Sequence, residues 1–141
     1  MVSIAKKYYI DTSIWIDLYE DRKGYNGELL GNYALKLLTL IKANKSALFI
    51  SDMHIRELEG YYSLAEINGM MKPFENIIQK IITTEEQRIE ARKIAKERNI
   101  PPGDVLHAII ARDNNLILIT RDNDFRQLSD ISEDYKPEHI I

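Results

Sequence analysis

Short apolar runs alternate along the chain with longer stretches in which apolar residues recur at helical spacing. Runs of this kind predict β-strands near residues 8–10, 47–50, 80–83 and 116–119, with a further edge strand at the end, 138–141. Helical spacing predicts helices over residues 12–18, 28–42, 52–59, 60–72, 84–98 and 104–111. Strands that alternate with helices indicate an α/β fold, in which a parallel sheet carries helices on both faces.

Several of the predicted helices begin with recognisable start signals. Thr84 and Gln87 have the spacing of a capping box, and Ser51-Asp52 follows a strand directly. Pro101-Pro102-Gly103 disfavours helix before it, which places Asp104 in the first turn of the next helix, where a negative charge suits the exposed N–H groups. Asp52 is expected to act as a cap, and Asp17 is expected to be a surface charge.

Composition narrows the class of protein. The 141 residues, 45% hydrophobic and 29% charged, suit one globular domain spanning residues 1–141. The chain has no cysteine, which excludes disulfides and thiolate zinc sites and favours a cytoplasmic protein. No apolar run approaches the roughly 20 residues of a membrane span, and the start lacks the apolar core of a signal peptide, so we expect no membrane association.

Acidic residues follow the predicted strands. Asp11 comes directly after the first strand, Glu57 lies one turn into the helix after the second, and Asp122 follows the strand at 116–119. Ligands of open parallel sheets bind at the carboxyl ends of the strands, so these residues and Asp104 are expected to converge there. Such a cluster of like charges is tolerable around a cation, and its hard oxygen ligands favour Mg²⁺ or Mn²⁺.

Four segments resemble a known family. They are Tyr9-Ile10-Asp11-Thr12-Ser13, Ile50-Ser51 with Glu57-Leu58, Asp104-Val105-Leu106-His107-Ala108 with Ala111, and Leu118-Ile119-Thr120-Arg121-Asp122-Asn123-Asp124-Phe125. In order and spacing they resemble the PIN-domain ribonucleases, especially the VapC-like toxins of type II toxin–antitoxin pairs. Residues 60–99 and the tail after Phe125 carry no signature of that family.

The resemblance implies a three-layer α/β/α sandwich with a central parallel sheet and Mg²⁺- or Mn²⁺-dependent hydrolysis of RNA. Carried over by position, it implies a catalytic quartet consisting of Asp11, Glu57, Asp104 and Asp122. Of these, Asp11, Asp104 and Asp122 would bind the metal, and Glu57 would complete or orient the site. Ser13, Thr120 and Asp124 would support the quartet, and either Asp122 or Asp124 could be the fourth acid. His54 is a departure, because the toxins commonly have a hydroxyl residue there.

Other interpretations of the same residues are possible. Pairs three residues apart, such as His54 with Glu57, are typical of di-iron helical bundles, but the order is reversed and strand-like runs precede the acids. A receiver-type signalling module would need adjacent acids after its first strand, which Asp11-Thr12 does not provide. His107 is expected to be a buried helix residue that hydrogen-bonds nearby.

The function remains open between three versions of this fold: a toxin, an RNA-processing nuclease that is not a toxin, and a non-catalytic scaffold that binds RNA or protein. All four acids are present, which favours an enzyme. Arg121 is a candidate contact to the RNA phosphates. The apolar helices at 28–42 and 60–71 exceed what one small core needs, so we expect a homodimer and a possible antitoxin partner.

Overall fold

Five parallel strands form the centre of the molecule in the computed structural model, which describes residues 6–141. The strands are β1 (Lys7–Ile10), β2 (Ala47–Ser51), β3 (Ile78–Ile81), β4 (Ile117–Ile119) and β5 (Asp134–Tyr135). Their order across the sheet is β3-β2-β1-β4-β5, and all neighbouring pairs are parallel. The start of the chain, which is expected to lack the apolar core of a signal peptide, lies largely in residues 1–5, outside the described part of the chain.

Within residues 6–141, six α-helices cover the two faces of this sheet. They are α1 (Thr12–Glu20), α2 (Leu30–Ala43), α3 (Asp52–Glu59), α4 (Leu64–Met71), α5 (Glu85–Arg98) and α6 (Pro102–Asp113). The described part of the chain also has three 3₁₀ segments, at Lys72–Ile77, Asn123–Leu128 and Pro137–His139. The fold is therefore an α/β/α sandwich with a central parallel sheet, which confirms the predicted fold class.

The strands divide the core into two layers because successive side chains of a strand point to opposite faces. Tyr8 and Ile10 pack with the buried sides of α1, α2 and α4, whereas Tyr9 packs with α5, α6 and the 3₁₀ segment after β4. Both layers contain fully buried large side chains, among them Trp15 in the first and Phe125 in the second. The sheet is thus buried on both faces, as its near-continuous apolar runs require.

Several predicted boundaries were wrong. The last strand is β5, not residues 138–141; Pro137, which has no N–H to donate to a ladder, instead begins a 3₁₀ turn. Strand β3 ends two residues earlier than predicted, since Thr83 turns away to donate its N–H and hydroxyl to the Asp52 carboxylate, both at 2.8 Å. Helix α4 begins at Leu64, where Ser63 caps it.

Two acidic residues also differ from expectation. Asp52 is the first residue of α3, not its cap, and its carboxylate ties that helix to the end of β3. Asp17, predicted to be a surface charge, is 2% exposed and accepts a hydrogen bond from Arg22 Nε at 2.8 Å. A buried carboxylate needs such a partner, and the helical pattern alone does not reveal it.

The strand order reverses direction at β1. From β1 the chain proceeds to β2 and β3 on one side, whereas β4 and β5 lie on the other. The crevice outside the carboxyl ends of β1 and β4 is therefore the topological switch point, the usual ligand site of an open α/β sheet.

Candidate active site

Asp11 stands at the carboxyl end of β1, in the middle of this crevice. Its N–H continues the sheet by donating to the Ile119 carbonyl at 2.9 Å. The Ser13 and Thr120 hydroxyls both donate to its Oδ2, at 2.8 and 3.1 Å. Asp11 is 6% exposed and Thr120 1%, so this carboxylate is buried at the floor of the crevice and hydrogen-bonded there. The structure thus places both predicted supporting hydroxyls against Asp11.

Three further carboxylates gather above that floor. Asp104 comes from the first turn of α6, and Asp122 and Asp124 come from the turn after β4. One carboxylate oxygen from each lies within 4.8 Å of those of the other two. The turn is shaped by local hydrogen bonds, because the Asp122 N–H donates to Thr120 Oγ1 at 3.1 Å and the Asp124 N–H donates to Asp122 Oδ1 at 2.9 Å.

The three-carboxylate cluster (Asp104, Asp122 and Asp124) is electrostatically unfavourable on its own. Burial, together with the negative charges of Asp122, Asp11 and Asp124, raises the pKa of Asp104 to about 7. The oxygens in this set have no basic partner among the hydrogen bonds and ion pairs of residues 6–141. Hard carboxylate ligands so arranged suit Mg²⁺ or Mn²⁺, and the residues present therefore fit a divalent cation.

Glu57 occupies a different position, beside the cluster. Its Oε1 accepts a hydrogen bond from Thr12 Oγ1 at 2.9 Å and lies 2.5 Å from His107 Nε2. Burial raises the pKa of Glu57, but the hydrogen bond and charge of His107 and the Thr12 hydroxyl outweigh it, so that the pKa falls below its usual range. The other oxygen, Oε2, faces the start of α6, 3.6 Å from where a Cβ on Gly103 would lie.

The predicted site residues therefore separate into two groups. Asp104 and Asp122 lie together, joined by Asp124, so that the two candidates for the fourth acid are both present. Asp11 and Glu57 lie beside that cluster, each with one oxygen bound by neighbouring donors. Thr120 Oγ1 links Asp11 to this cluster, because it donates to Asp11 Oδ2 and accepts from the Asp122 N–H.

Arg121 points away from the cluster. Its guanidinium lies 2.7 Å from Glu138 and 3.8 Å from Asp17, and it stacks over the Tyr33 ring at 5.5 Å. Only 16% of its side chain is exposed. These contacts tie the turn after β4 to α1 and to the carboxyl-terminal segment. The RNA contact suggested for Arg121 stays a prediction.

His54 has a defined structural role. Its Nδ1 accepts a hydrogen bond from the Ser51 N–H at 2.9 Å, and its Nε2 donates to the Ile10 carbonyl at 2.6 Å. Burial and the neighbouring His107 lower the pKa of His54 to about 3, so the ring is neutral at physiological pH. This residue joins the carboxyl ends of β1 and β2, directly before Asp11.

Two side chains near the acids were missed by sequence reasoning. Thr12 lies at the start of a predicted helix, where a hydroxyl usually caps the helix, yet its hydroxyl donates to Glu57 Oε1. Tyr9 was read as an ordinary strand residue, yet its hydroxyl lies 2.5 Å from His107 Nδ1. Alternation along β1 indicates which face Tyr9 occupies, but it carries no signal for the hydroxyl's partner.

Comparison with known proteins agrees with this architecture. The family model for the PIN domain matches residues 8–131. No curated protein matches the sequence significantly.

No helix among residues 6–141 is long and apolar enough to span a membrane.

Solved structures share the fold at low sequence identity. A toxin–antitoxin complex from Klebsiella pneumoniae aligns with a TM-score of 0.62 and 19% identity, covering 92% of this chain and 97% of that one. VapBC2 from Rickettsia felis, bound to a DNA fragment from its promoter, aligns with a TM-score of 0.65 and 18% identity, covering 92% of this chain and 98% of that one. The protein PAE2754 from Pyrobaculum aerophilum aligns with a TM-score of 0.57 and 17% identity, covering 97% of this chain and 95% of that one. At these identities the likeness is one of fold.

Proposed function

The chain belongs to the PIN domain family, and we propose that it is a Mg²⁺- or Mn²⁺-dependent endoribonuclease that acts as the toxin of a toxin–antitoxin pair. PIN domains are typically nucleases. The observation that carries the proposal is the three-carboxylate cluster at the switch point of the sheet, with Asp11 beneath it. A set of acids this close is costly without a cation and is arranged where a ligand of this fold would bind.

In the proposed reaction, water attacks the phosphorus of an RNA phosphodiester and one P–O bond to ribose breaks, which leaves a phosphate monoester on one fragment and a hydroxyl on the other, with no covalent enzyme intermediate. Asp104 and Asp122 would hold the cation with Asp11, and Asp124 would assist from the same turn. When bound, the cation would polarise a phosphoryl oxygen and lower the pKa of water. Ser13 and Thr120 keep Asp11 oriented through its Oδ2. Glu57, at the edge of the cluster, would orient the attacking water or complete the site.

Metal-dependent cleavage is the first test. The purified protein should cut a labelled RNA with Mn²⁺ or Mg²⁺ and lose that activity in excess EDTA. Asp104→Asn should remove most of the activity, because it deletes a negative charge that would bind the cation, and its similar volume should preserve the fold. Glu59→Gln, on an exposed part of α3, should leave the activity intact. Cleavage at the parent rate in EDTA, or by Asp104→Asn with Mn²⁺, would overturn the proposed site. Binding of RNA without cleavage would indicate a scaffold.

Toxin activity needs a separate experiment. The structural neighbours include a toxin–antitoxin complex and VapBC2, which supports it, and expression should then arrest growth in a way that depends on Asp104. Co-expression of the product of a small neighbouring gene should relieve the arrest. Cleavage in vitro without arrest would instead identify an RNA-processing nuclease.

We also propose a homodimer that leaves room for an antitoxin. Large apolar side chains stand exposed on the helical layer of α1, α2 and α4, among them Leu35 (48%) and Leu64 (59%). Exposed apolar area of this kind favours association. Sedimentation equilibrium should give twice the mass of the chain, and a monomer at micromolar concentration would contradict the assembly.

A further inference from the structure

A row of buried polar side chains runs across the sheet and ends at Glu57. Tyr9 Oη on β1 lies 2.9 Å from Ser51 Oγ on β2 and 2.5 Å from His107 Nδ1 on α6. His107 Nε2 lies 2.5 Å from Glu57 Oε1 on α3. Tyr9 and His107 are both 0% exposed, and Ser51 is 2% exposed. This polar row (Ser51, Tyr9, His107 and Glu57), which is buried except at Glu57, joins four different elements through side chains alone.

The direction of the hydrogen bonds follows from the chemistry of Glu57. An ionised carboxylate only accepts, so His107 Nε2 carries the hydrogen and donates it. With a neutral ring, Nδ1 is an acceptor, and the Tyr9 hydroxyl donates to it while accepting from Ser51. With a charged ring, Nδ1 donates to Tyr9 Oη, and Tyr9 donates to Ser51. The hydroxyl of Tyr9 satisfies either state, which a phenylalanine could not do.

Placing these groups in the core is costly unless every one is paired. A buried donor or acceptor without a partner costs more than an ordinary hydrogen bond contributes. Burial, with the charges of Glu57, Asp11 and Asp52, raises the pKa of Tyr9 despite the opposing Ser51 contact, so the phenol keeps its proton. An apolar pair at positions 9 and 107 would fill the same core with no such requirement. The polar row therefore has a use beyond packing.

We propose that Tyr9 and His107 are positioning residues that hold the Glu57 carboxylate in one orientation beside the three-carboxylate cluster, a role that rests on the proposed nuclease function. The Glu57 side chain is long and 36% exposed, so without these hydrogen bonds it could adopt other rotamers that extend into the solvent. Thr12 of α1 and His107 of α6 both donate a hydrogen bond to its Oε1. Oε2 is thereby directed toward the start of α6, the turn that carries Asp104.

Neither Tyr9 nor His107 belongs to the cluster, so their effect on cleavage has to pass through Glu57. The expected signature is a loss of kcat with little change in KM, because substrate contacts are untouched. Outer partners that orient acidic groups of a metal site typically contribute roughly 10–100-fold to activity. We expect about tenfold for Tyr9→Phe, which is one step further from the reaction than His107.

The matched control lies next to Tyr9 on the same strand. Tyr8 is also buried (6% exposed) but packs in the opposite layer, so Tyr8→Phe removes an equivalent hydroxyl from β1 without touching the row. Tyr8→Phe should leave kcat within about twofold of the parent. A tenfold loss in both variants would show that β1 tolerates no such change, and the assigned role of Tyr9 would then be wrong.

Conservative replacement separates positioning from folding. His107→Gln keeps an N–H donor near the position of Nε2 and should retain most of the activity, whereas His107→Leu should not. Adding Tyr9→Phe to His107→Leu should cause no further loss, since Tyr9 acts only through the ring. Losses that multiply, or a His107→Gln variant as inactive as His107→Leu, would overturn the role.

NMR spectra that do not depend on cleavage distinguish a failure of the nuclease function from a failure of the positioning role. In ¹⁵N NMR spectra of the metal-free protein, the His107 ring should show a slowly exchanging Nε2–H that shifts in Glu57→Gln, and an Nδ1 resonance that shifts in Tyr9→Phe but not in Tyr8→Phe. If the parent cleaves no RNA, the nuclease proposal fails while these spectra still test the row. If the parent cleaves and Tyr9→Phe matches it, only the positioning role fails.

Discussion

Replacing Asp104 with asparagine should stabilise the metal-free protein at neutral pH. Asparagine has the shape of a protonated aspartate but never ionises. In the folded state, burial and the charges of Asp122, Asp11 and Asp124 raise the pKa of Asp104 to about 7, from an ordinary value of 3.8. Between these values the folded protein holds a proton that the unfolded chain has released. The parent's free energy of unfolding therefore falls as pH rises through this range.

The size of the effect follows from that difference. A tenfold change in proton affinity corresponds to about 1.4 kcal/mol, so a rise from 3.8 to about 7 corresponds to about 4 kcal/mol at most. Asp104 is only partly buried, and water and salt screen its neighbours, so we expect about 1–2 kcal/mol. The advantage of Asp104→Asn should be near zero at pH 4, grow up to pH 7 and then level off.

Urea unfolding in EDTA, measured at intervals from pH 4 to 8, provides the assay. Glu59→Gln is the control, because it removes one charge from an exposed side chain of α3. The free energy of unfolding of this variant should change with pH as the parent's does. Adding millimolar Mn²⁺ at pH 7.5 should reverse the order, making the parent the more stable protein by mass action. Equal pH dependence of the parent and Asp104→Asn in EDTA would refute the idea that these carboxylates repel one another.

Further variants test the surrounding contacts. Asp11→Asn should reduce Mn²⁺-dependent RNA cleavage about 100-fold while far-UV circular dichroism stays unchanged. Thr120→Val should lower the free energy of unfolding by about 1–3 kcal/mol in urea titration, because Asp11 and the Asp122 N–H each lose a buried partner. Arg121→Gln should destabilise by a similar amount, since it leaves Asp17 with one cation fewer, and should change the salt dependence of RNA binding little if the arginine is structural. Because the pKa of His54 falls to about 3, the parent should lose stability as pH drops from about 6.5, and His54→Gln should lack that part of the slope.

The sequence reveals those site residues whose position follows from periodicity. Asp11 and Asp122 could be placed because each follows an apolar strand, and the carboxyl ends of parallel strands meet at one edge. Asp104 could be placed in a first helical turn because the two prolines before it set the start of the helix, which begins at Pro102. Each of these predictions depends on local signals that the fold does not override.

The remaining features depend on tertiary contacts. Asp17 lies on the pattern of an exposed helix position, yet Arg22 and Arg121 make its burial possible. The two-residue strand β5 forms because its backbone continues the sheet beside β4, where Thr120 N–H donates to the Tyr135 carbonyl at 2.8 Å. The Tyr9 hydroxyl finds its partner 98 residues away. None of these pairings has a signal in the local sequence.

The acids of the crevice are thus held by two different means. Asp11 and Glu57 each have one oxygen fixed by two donors from separate elements, so their orientation is set by the fold before anything binds. The three-carboxylate cluster is instead a group of like charges that repel one another, and a bound cation would stabilise it. Removal of metal should therefore loosen the turn that carries Asp122 and Asp124 while β1 stays ordered. Amide hydrogen exchange in EDTA and in Mn²⁺ should show protection changing in the turn and not in the strand, and equal changes in both would contradict this division.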